Sequence, residues 1–255
     1  MRYFMTFAYD GSNFLGYQKQ PKGRTVQKEI ESVLKKINND VSVDIHASGR
    51  TDAKVHALNQ KAHFDLKKKI DCDKLLKALN SLLPEDIYIK KIEEVSDDFH
   101  ARFDAIGKEY IYILNMGEYN PIERNYVYQY NKKLDLVAME RGLKYLEGEH
   151  NFKSFTKSDD DIVDYVRKIS TTSIVRDSRD LNKITISFVG TGFLRYMVRN
   201  MVGLLIEIGE GKRNPEEVIK ILDKEDRTIS GKTANPEGLY LKNVFYSLNQ
   251  SKVHK

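Results

Sequence analysis

Ser48-Gly49-Arg50-Thr51-Asp52-Ala53-Lys54-Val55-His56-Ala57 lies between two apolar, β-branched-rich stretches, Val41 to Ile45 and Leu58 to Leu66. That arrangement predicts strand, loop, strand, with an acid on the loop. Loops held between rigid strands are where reactive side chains are commonly placed. Working outward, Met1 to Tyr9 reads as a strand, followed by a loop rich in Gly and Asn from Asp10 to Arg24. Thr25 is a helix cap, and Val26, Ile30, Val33, Leu34 and Ile37 fall on one face of the helix it starts. A second helix begins near Asp71 or Asp73, buries Leu75, Leu76, Leu79, Leu82 and Leu83, and stops at Pro84. Ile87 to Val95 then reads as strand, so the order is β-α-β-β-α-β.

After a polar connector at Ser96 to Asp98 the order starts again. Ile106 to Leu114 is a strand, Asp135 to about Glu147 a helix stopped by Gly148, and Val166 to Asp177 with Lys183 to Val189 a hairpin. A long helix follows from Phe193 to about Ile208, Asn214-Pro215 opens a short one, and Leu239 to Leu248 closes as strand. The expectation is an α+β protein of two tandem ferredoxin-like, RRM-like β-α-β-β-α-β units, with antiparallel sheets joined around a central cleft. The cut falls near residue 104, separating 1–104 from 105–255.

The composition narrows the chemistry. With 42 basic and 37 acidic residues the formal charge is +5, which permits a polyanionic partner without requiring one. The single cysteine, Cys72, excludes an intramolecular disulfide and a thiolate-rich zinc site, which fits a reducing compartment and a cytoplasmic protein. The six histidines show neither an HExxH run nor paired Cys/His spacing, so no transition metal is expected. Neither a secretory leader nor an apolar span of bilayer length is visible, and no membrane role is expected.

Several residues can carry chemistry, and each has a plainer explanation. Asp52 could act as nucleophile, as general base or as an ion-pair partner; an aspartate that merely caps a turn is the ordinary alternative. Arg199 lies in the run from Phe188 to Gly203, on a helix whose inner face is Phe193, Met197, Val198, Met201 and Leu205. It reaches solvent, bonds to a helix C-terminus, or is held against Asp52, where an opposite charge favours the ionised acid. Tyr110 and Tyr112 alternate on a strand and point the same way, as an aromatic ladder or as a platform for a base drawn out of RNA. The stretch Tyr9 to Gln20 mixes Gly with Asn, Gln and aromatics as a nucleotide-contacting loop would, without phosphate-loop spacing. Basic clusters at Lys67 to Lys69, Lys90-Lys91, Lys132-Lys133 and Lys153/Lys157 form an RNA track only where they converge.

Taken together these segments resemble the tRNA pseudouridine synthase A family, in order and over nearly the whole chain. The family-like pieces are Tyr9 to Gln20, Arg24-Thr25-Val26-Gln27, Ser48 to Ala57, Ala101-Arg102-Phe103 with Lys108 to Tyr112, Gly148 to Phe155, Phe188 to Gly203, and Gly238-Leu239-Tyr240-Leu241. The resemblance implies that Asp52 is the catalytic aspartate, Arg50 an RNA-handling neighbour, Tyr110 the ring over the target uracil, Arg199 the partner of Asp52, and Leu239 an apolar pocket wall. It also implies a homodimer working without metal or organic cofactor, in which 1–104 carries the Asp52 loop and 105–255 completes the site and the dimer. The implied substrate is the anticodon stem-loop of tRNA, with uridines at tRNA positions 38, 39 and/or 40 becoming pseudouridine. A paralogous synthase acting on another tRNA site or on ribosomal RNA, and a non-catalytic RNA-binding or chaperone protein on the same scaffold, are the competing readings.

Three positions depart from the family pattern. Lys54 stands where the family usually has Gly, Glu149-His150-Asn151-Phe152 where His-Asp-Phe is commoner, and Arg195 where another residue is usual. A glycine held at positive φ in relatives would leave Lys54 in a strained turn.

Overall fold

The computed structural model describes residues 1–157 and 164–247. Among these are ten strands and five α-helices. They divide into two compact units, the first formed by Met1–Ile106 together with the residues from Tyr240 onward, the second by Gly107–Leu239.

In the first unit β1 (Arg2–Tyr9) is central, antiparallel to β3 (His56–Asp65) on one side and β4 (Ile87–Val95) on the other, with α1 (Val26–Ile37) and α2 (Cys72–Leu82) between them in sequence. The short β2 (His46–Ala47) pairs antiparallel with β3, and β10 (Leu239–Tyr246) returns to pair parallel with it through Tyr240 and Leu241. Alternation along β1 buries Tyr3, Met5, Phe7 and Tyr9, which share the core with Val26, Ile30 and Leu34 of α1 and Leu75 and Leu79 of α2. Each such side chain, fully buried, contributes about 1.5–3 kcal/mol. The expected caps are in place: Thr25 accepts from the Lys28 amide and Asp71 from the Lys74 amide. Of the expected leucine stripe, Leu82 is half exposed, because α2 ends there.

Val41 to Ile45 is not a strand. Asn39 and Asp40 take left-handed backbone angles, φ 54° and 63°. The Ile45 amide then donates to the buried Glu31 carboxylate at 3.3 Å instead of to a neighbouring strand. Pairing is left to His46 and Ala47 alone.

The second unit holds β5 (Ala105–Asn115, from Gly107), β6 (Tyr128–Gln129), α3 (Leu136–Lys144), β7 (Gly148–Asn151), β8 (Val166–Arg176), β9 (Lys183–Gly190), α4 (Met197–Gly209) and α5 (Glu217–Lys224). Its antiparallel order is β5-β9-β8-β7, with β6 parallel to β5. Helix α4 is buried on nearly every side, as befits a helix apolar all round. It begins at Met197 rather than at Phe193, because Tyr196 is left-handed at φ 63° and cannot belong to an α-helix. Strands β6 and β7 were not foreseen, and Leu248, expected to end the last strand, lies outside the described residues. No helix among the described residues is long and apolar enough to cross a membrane.

Candidate active site

Asp52 opens a tight turn in the first unit: the Val55 amide donates to the Asp52 carbonyl at 3.2 Å. Its side chain is half-buried. Lys54, inside this turn, is exposed and left-handed at φ 64°, the conformation that glycine adopts without cost and other residues at about 1–2 kcal/mol. The turn rests on the 10–17 loop. The Lys54 amide donates to the Phe14 carbonyl at 3.2 Å, and the Tyr17 amide to the Thr51 carbonyl at 3.1 Å. Contact is so close at Gly11 that a Cβ there would lie 2.1 Å from the Val55 carbonyl oxygen. The 10–17 loop thus acts as a buttress, and Arg24 fixes it in turn. Its guanidinium pairs with Asp86 and Glu29 and lies 4.2 Å from the Phe14 ring centre. These partners give Arg24 a structural place.

The other side of the loop is rooted in the core. The Tyr9 and Thr51 hydroxyls are hydrogen-bonded at 2.8 Å, with both residues buried. Burial raises the Tyr9 phenol to about 12, so it is a neutral hydroxyl at physiological pH. Gln60, fully buried on β3, accepts from the Ser48 hydroxyl at 2.7 Å and donates through Nε2 to the Gly49 carbonyl at 3.0 Å. Just after the turn, the Gly11 amide donates to Nδ1 of buried His56, whose ring stacks on Tyr240 with centres 4.6 Å apart.

The second unit gathers Tyr110, Tyr112, Arg199 and Leu239. Tyr110 on β5 is buried, with the Phe193 ring edge-on at 5.1 Å between centres. Tyr112 is more deeply buried, and its hydroxyl donates to the Asn235 carbonyl at 2.8 Å. Burial pushes its phenol well above the ordinary range, and the nearby Arg199 cation opposes that rise. Of the expected pair, then, Tyr112 is a core residue and Tyr110 stands against Phe193. Leu239 is buried at the start of β10.

Arg199 is half-buried in the first turn of α4. Its Nε donates to the Ala234 carbonyl at 2.8 Å, while the Ala234 amide returns a bond to the Arg199 carbonyl at 3.0 Å. Residues 230–235 form a strap across α4, closest at Gly203, where a Cβ would lie 1.7 Å from the Lys232 carbonyl oxygen. Arg227 ties this strap down, donating to Asn200 Oδ1, Thr233 Oγ1, Ser230 Oγ and the Gly231 carbonyl. Asn200 in turn donates to the Phe155 carbonyl at 2.6 Å. Sequence reading passed over Arg227 and Asn200; the one signal was an asparagine within an otherwise apolar helix, since a polar group buried there needs partners.

The remaining expected residues divide. Arg50 is exposed on the Asp52 loop. The basic clusters are solvent-facing, but Lys69 pairs with Glu94 at 2.8 Å and Lys91 with Glu93 at 2.7 Å, so part of that charge is neutralised locally. Among the described residues no group of three or more His, Cys, Asp and Glu side chains is placed to hold a metal ion.

A family model described as tRNA pseudouridine synthase matches residues 5–104 and 143–247. A protein of Streptococcus gordonii (strain Challis) named tRNA pseudouridine synthase A is 44% identical over 96% of this chain and 98% of its own length. Proteins of the same name from Streptococcus mutans and an Exiguobacterium species are 41% and 45% identical, over 96% and 94% of this chain and 99% and 95% of their own lengths.

Proposed function

On the premise that this chain belongs to the tRNA pseudouridine synthase family, we propose that it isomerises uridines in the anticodon stem-loop of tRNA to pseudouridine, with Asp52 as the reacting carboxylate. The observation that carries this reading is the near full-length likeness, whose matched segments include both the Asp52 loop and the helix of Arg199. Tyr110 lies between those segments, outside the residues that the family model matches.

The reaction breaks the C1′–N1 bond, turns the uracil, and joins C1′ to C5. The C5 hydrogen leaves as a proton and N1 takes one up, so no atoms are gained or lost and no redox change occurs. An ionised Asp52 has three ways to begin: attack at C1′, attack at C6, or removal of the 2′ proton. Each needs a carboxylate at a fixed position, and the buttressed turn supports such a role. In this reading Arg199 is the cation that keeps Asp52 ionised, Tyr110 faces the extruded base, Leu239 walls the pocket and Arg50 handles the RNA beside Asp52. The tasks divide between two ferredoxin-like units, with the expected cut near residue 104 and the closing strand from Tyr240 returned to the first unit.

The finer reading is of a cytoplasmic homodimer gripping one tRNA through phosphate contacts from Lys and Arg. Affinity then falls steeply with added salt. The deciding experiment maps carbodiimide-dependent reverse-transcription stops in RNA from cells with and without the protein. Stops lost only from the 3′ side of the anticodon loop support the proposal. Loss from another tRNA site or from ribosomal RNA moves the substrate, and no loss anywhere defeats it.

A further inference from the structure

We propose that Tyr9 and Gln60 are positioning residues of the reaction, acting through Thr51 and the Ser48-Gly49 segment to set the direction of the Asp52 carboxylate. The inference rests on the reading of Asp52 as the reacting group. It begins with an oddity of the first unit's core. Gln60 is completely buried on a strand whose next positions on the same face are Ala62 and Phe64, and Tyr9 is buried at the end of a strand otherwise lined by Tyr3, Met5 and Phe7. A buried amide or phenol is costly unless its polar atoms are bonded.

Both reach one segment with their side chains, while Gln60 also accepts from the Lys61 amide at 3.1 Å and bonds the Tyr9 hydroxyl. Gln60 holds the Ser48 hydroxyl and the Gly49 carbonyl, and Tyr9 holds the Thr51 hydroxyl, which belongs to the residue immediately before Asp52. Ser48 itself is fully buried and Thr51 nearly so. The loop is therefore pinned at 48–49 and again at 51 from the core side, while the 10–17 loop holds the main chain at 51 and 54 from the other side. Because those main-chain bonds do not involve Tyr9 or Gln60, removing a core-side pin leaves the turn folded and frees its orientation. A displacement of about 1 Å at a reacting group can cost roughly 100-fold in rate.

The test is single-turnover tritium release from tRNA carrying uridine labelled at C5, with tRNA binding measured separately. The variants are Tyr9→Phe, Thr51→Val, their double, Thr51→Ser, Gln60→Leu and Asp52→Asn. Tyr9→Phe and Thr51→Val are each expected to slow release about 10- to 100-fold with the dissociation constant for tRNA unchanged. The double should be no slower than the worse single variant, since both remove one bond. Thr51→Ser, which restores the hydroxyl, should recover the loss seen with Thr51→Val. Gln60→Leu should slow release in the same way; should it melt far below the wild type, the Tyr9 and Thr51 set decides alone. Release within twofold of wild type in Tyr9→Phe, losses that multiply in the double, or tRNA affinity falling in step with rate would each overturn the inference. Asp52→Asn separates the levels: an inert Asp52→Asn beside a fully active Tyr9→Phe sinks this inference alone. An active Asp52→Asn sinks the reading beneath it.

Discussion

The Asp52 turn and the Arg199 helix present two charged groups by opposite means. Asp52 sits on a loop with no regular structure of its own, and its place depends on the 10–17 buttress, the Tyr9 and Gln60 pins and a lysine held in a left-handed turn. Arg199 sits on a helix buried on nearly every side, and the Ala234 carbonyl of the strap receives its Nε. A short carboxylate moves with its backbone, so the backbone must be held at several points. A long guanidinium stem is steered by contacts near its end, once the helix beneath it is rigid; here these include the Ala234 carbonyl and the Tyr196 ring, whose centre is 5.4 Å from the guanidinium.

That contrast can be broken most forcefully at the cation. Arg199→Ala is expected to lower single-turnover rate by about 100- to 1,000-fold while tRNA affinity changes little, since the group keeps Asp52 ionised more than it grips RNA. Equal losses in rate and affinity would make Arg199 an RNA anchor instead. Next come the two close approaches. Gly203→Ala drives a Cβ into the Lys232 carbonyl and Gly11→Ala drives one into the Val55 carbonyl. Each should destabilise by about 1–3 kcal/mol in a denaturant titration. In Gly11→Ala the rate should fall further than the melting temperature alone explains; unchanged turnover there would show that the buttress does not place Asp52.

A third prediction separates the units by acid. Burial, with Arg2, His100 and His46 nearby, lowers His63 to about 4, while Asp65 weakly opposes the shift. In the unfolded chain the imidazole protonates near its usual value of about 6.5. Between those two values the unfolded state binds more protons, so stability falls as pH drops from about 6.5 to about 4. His63→Gln should flatten the melting-temperature profile across that window, and an unaltered profile would remove His63 as the cause. The smallest effect belongs to the turn itself. Lys54→Gly should raise stability by about 1 kcal/mol by relieving the left-handed lysine, less what a more flexible unfolded chain takes back. A lowered melting temperature would show that the lysine side chain contributes more than its backbone costs.

Much of this was legible in the residues, and what was not has physical causes. Ile87 to Val95 is β4 to the residue although a register shift interrupts its alternation between Ile89 and Lys91, and Thr25 and Asp71 mark helix starts because their side chains accept the orphan amides. Val41 to Ile45 has strand-like composition, yet its amide partner is a carboxylate on a helix, a tertiary contact that local pattern does not carry. Tyr196 breaks the predicted helix by a backbone angle that nothing about a tyrosine announces. Strand β7 escaped because Glu149, His150 and Asn151 are polar and only their pairing with β8 makes them extended. The Asp52 loop was legible as a loop with an acid between strands; its strain at Lys54 followed from the glycine of relatives and is borne by φ 64°. The pins and the strap were not legible, since hydrogen bonds from Gln60 to Gly49 or from Arg227 to Asn200 exist only once the chain has closed on itself.

The account turns on a single ionised oxygen, and tritium release from C5-labelled tRNA reads it most directly. Asp52→Asn keeps the size and the turn of the side chain while removing its charge. It should bind tRNA as the wild type does and release no tritium above the enzyme-free background. Release at a rate near that of the wild type would contradict the central claim, whatever the other variants do.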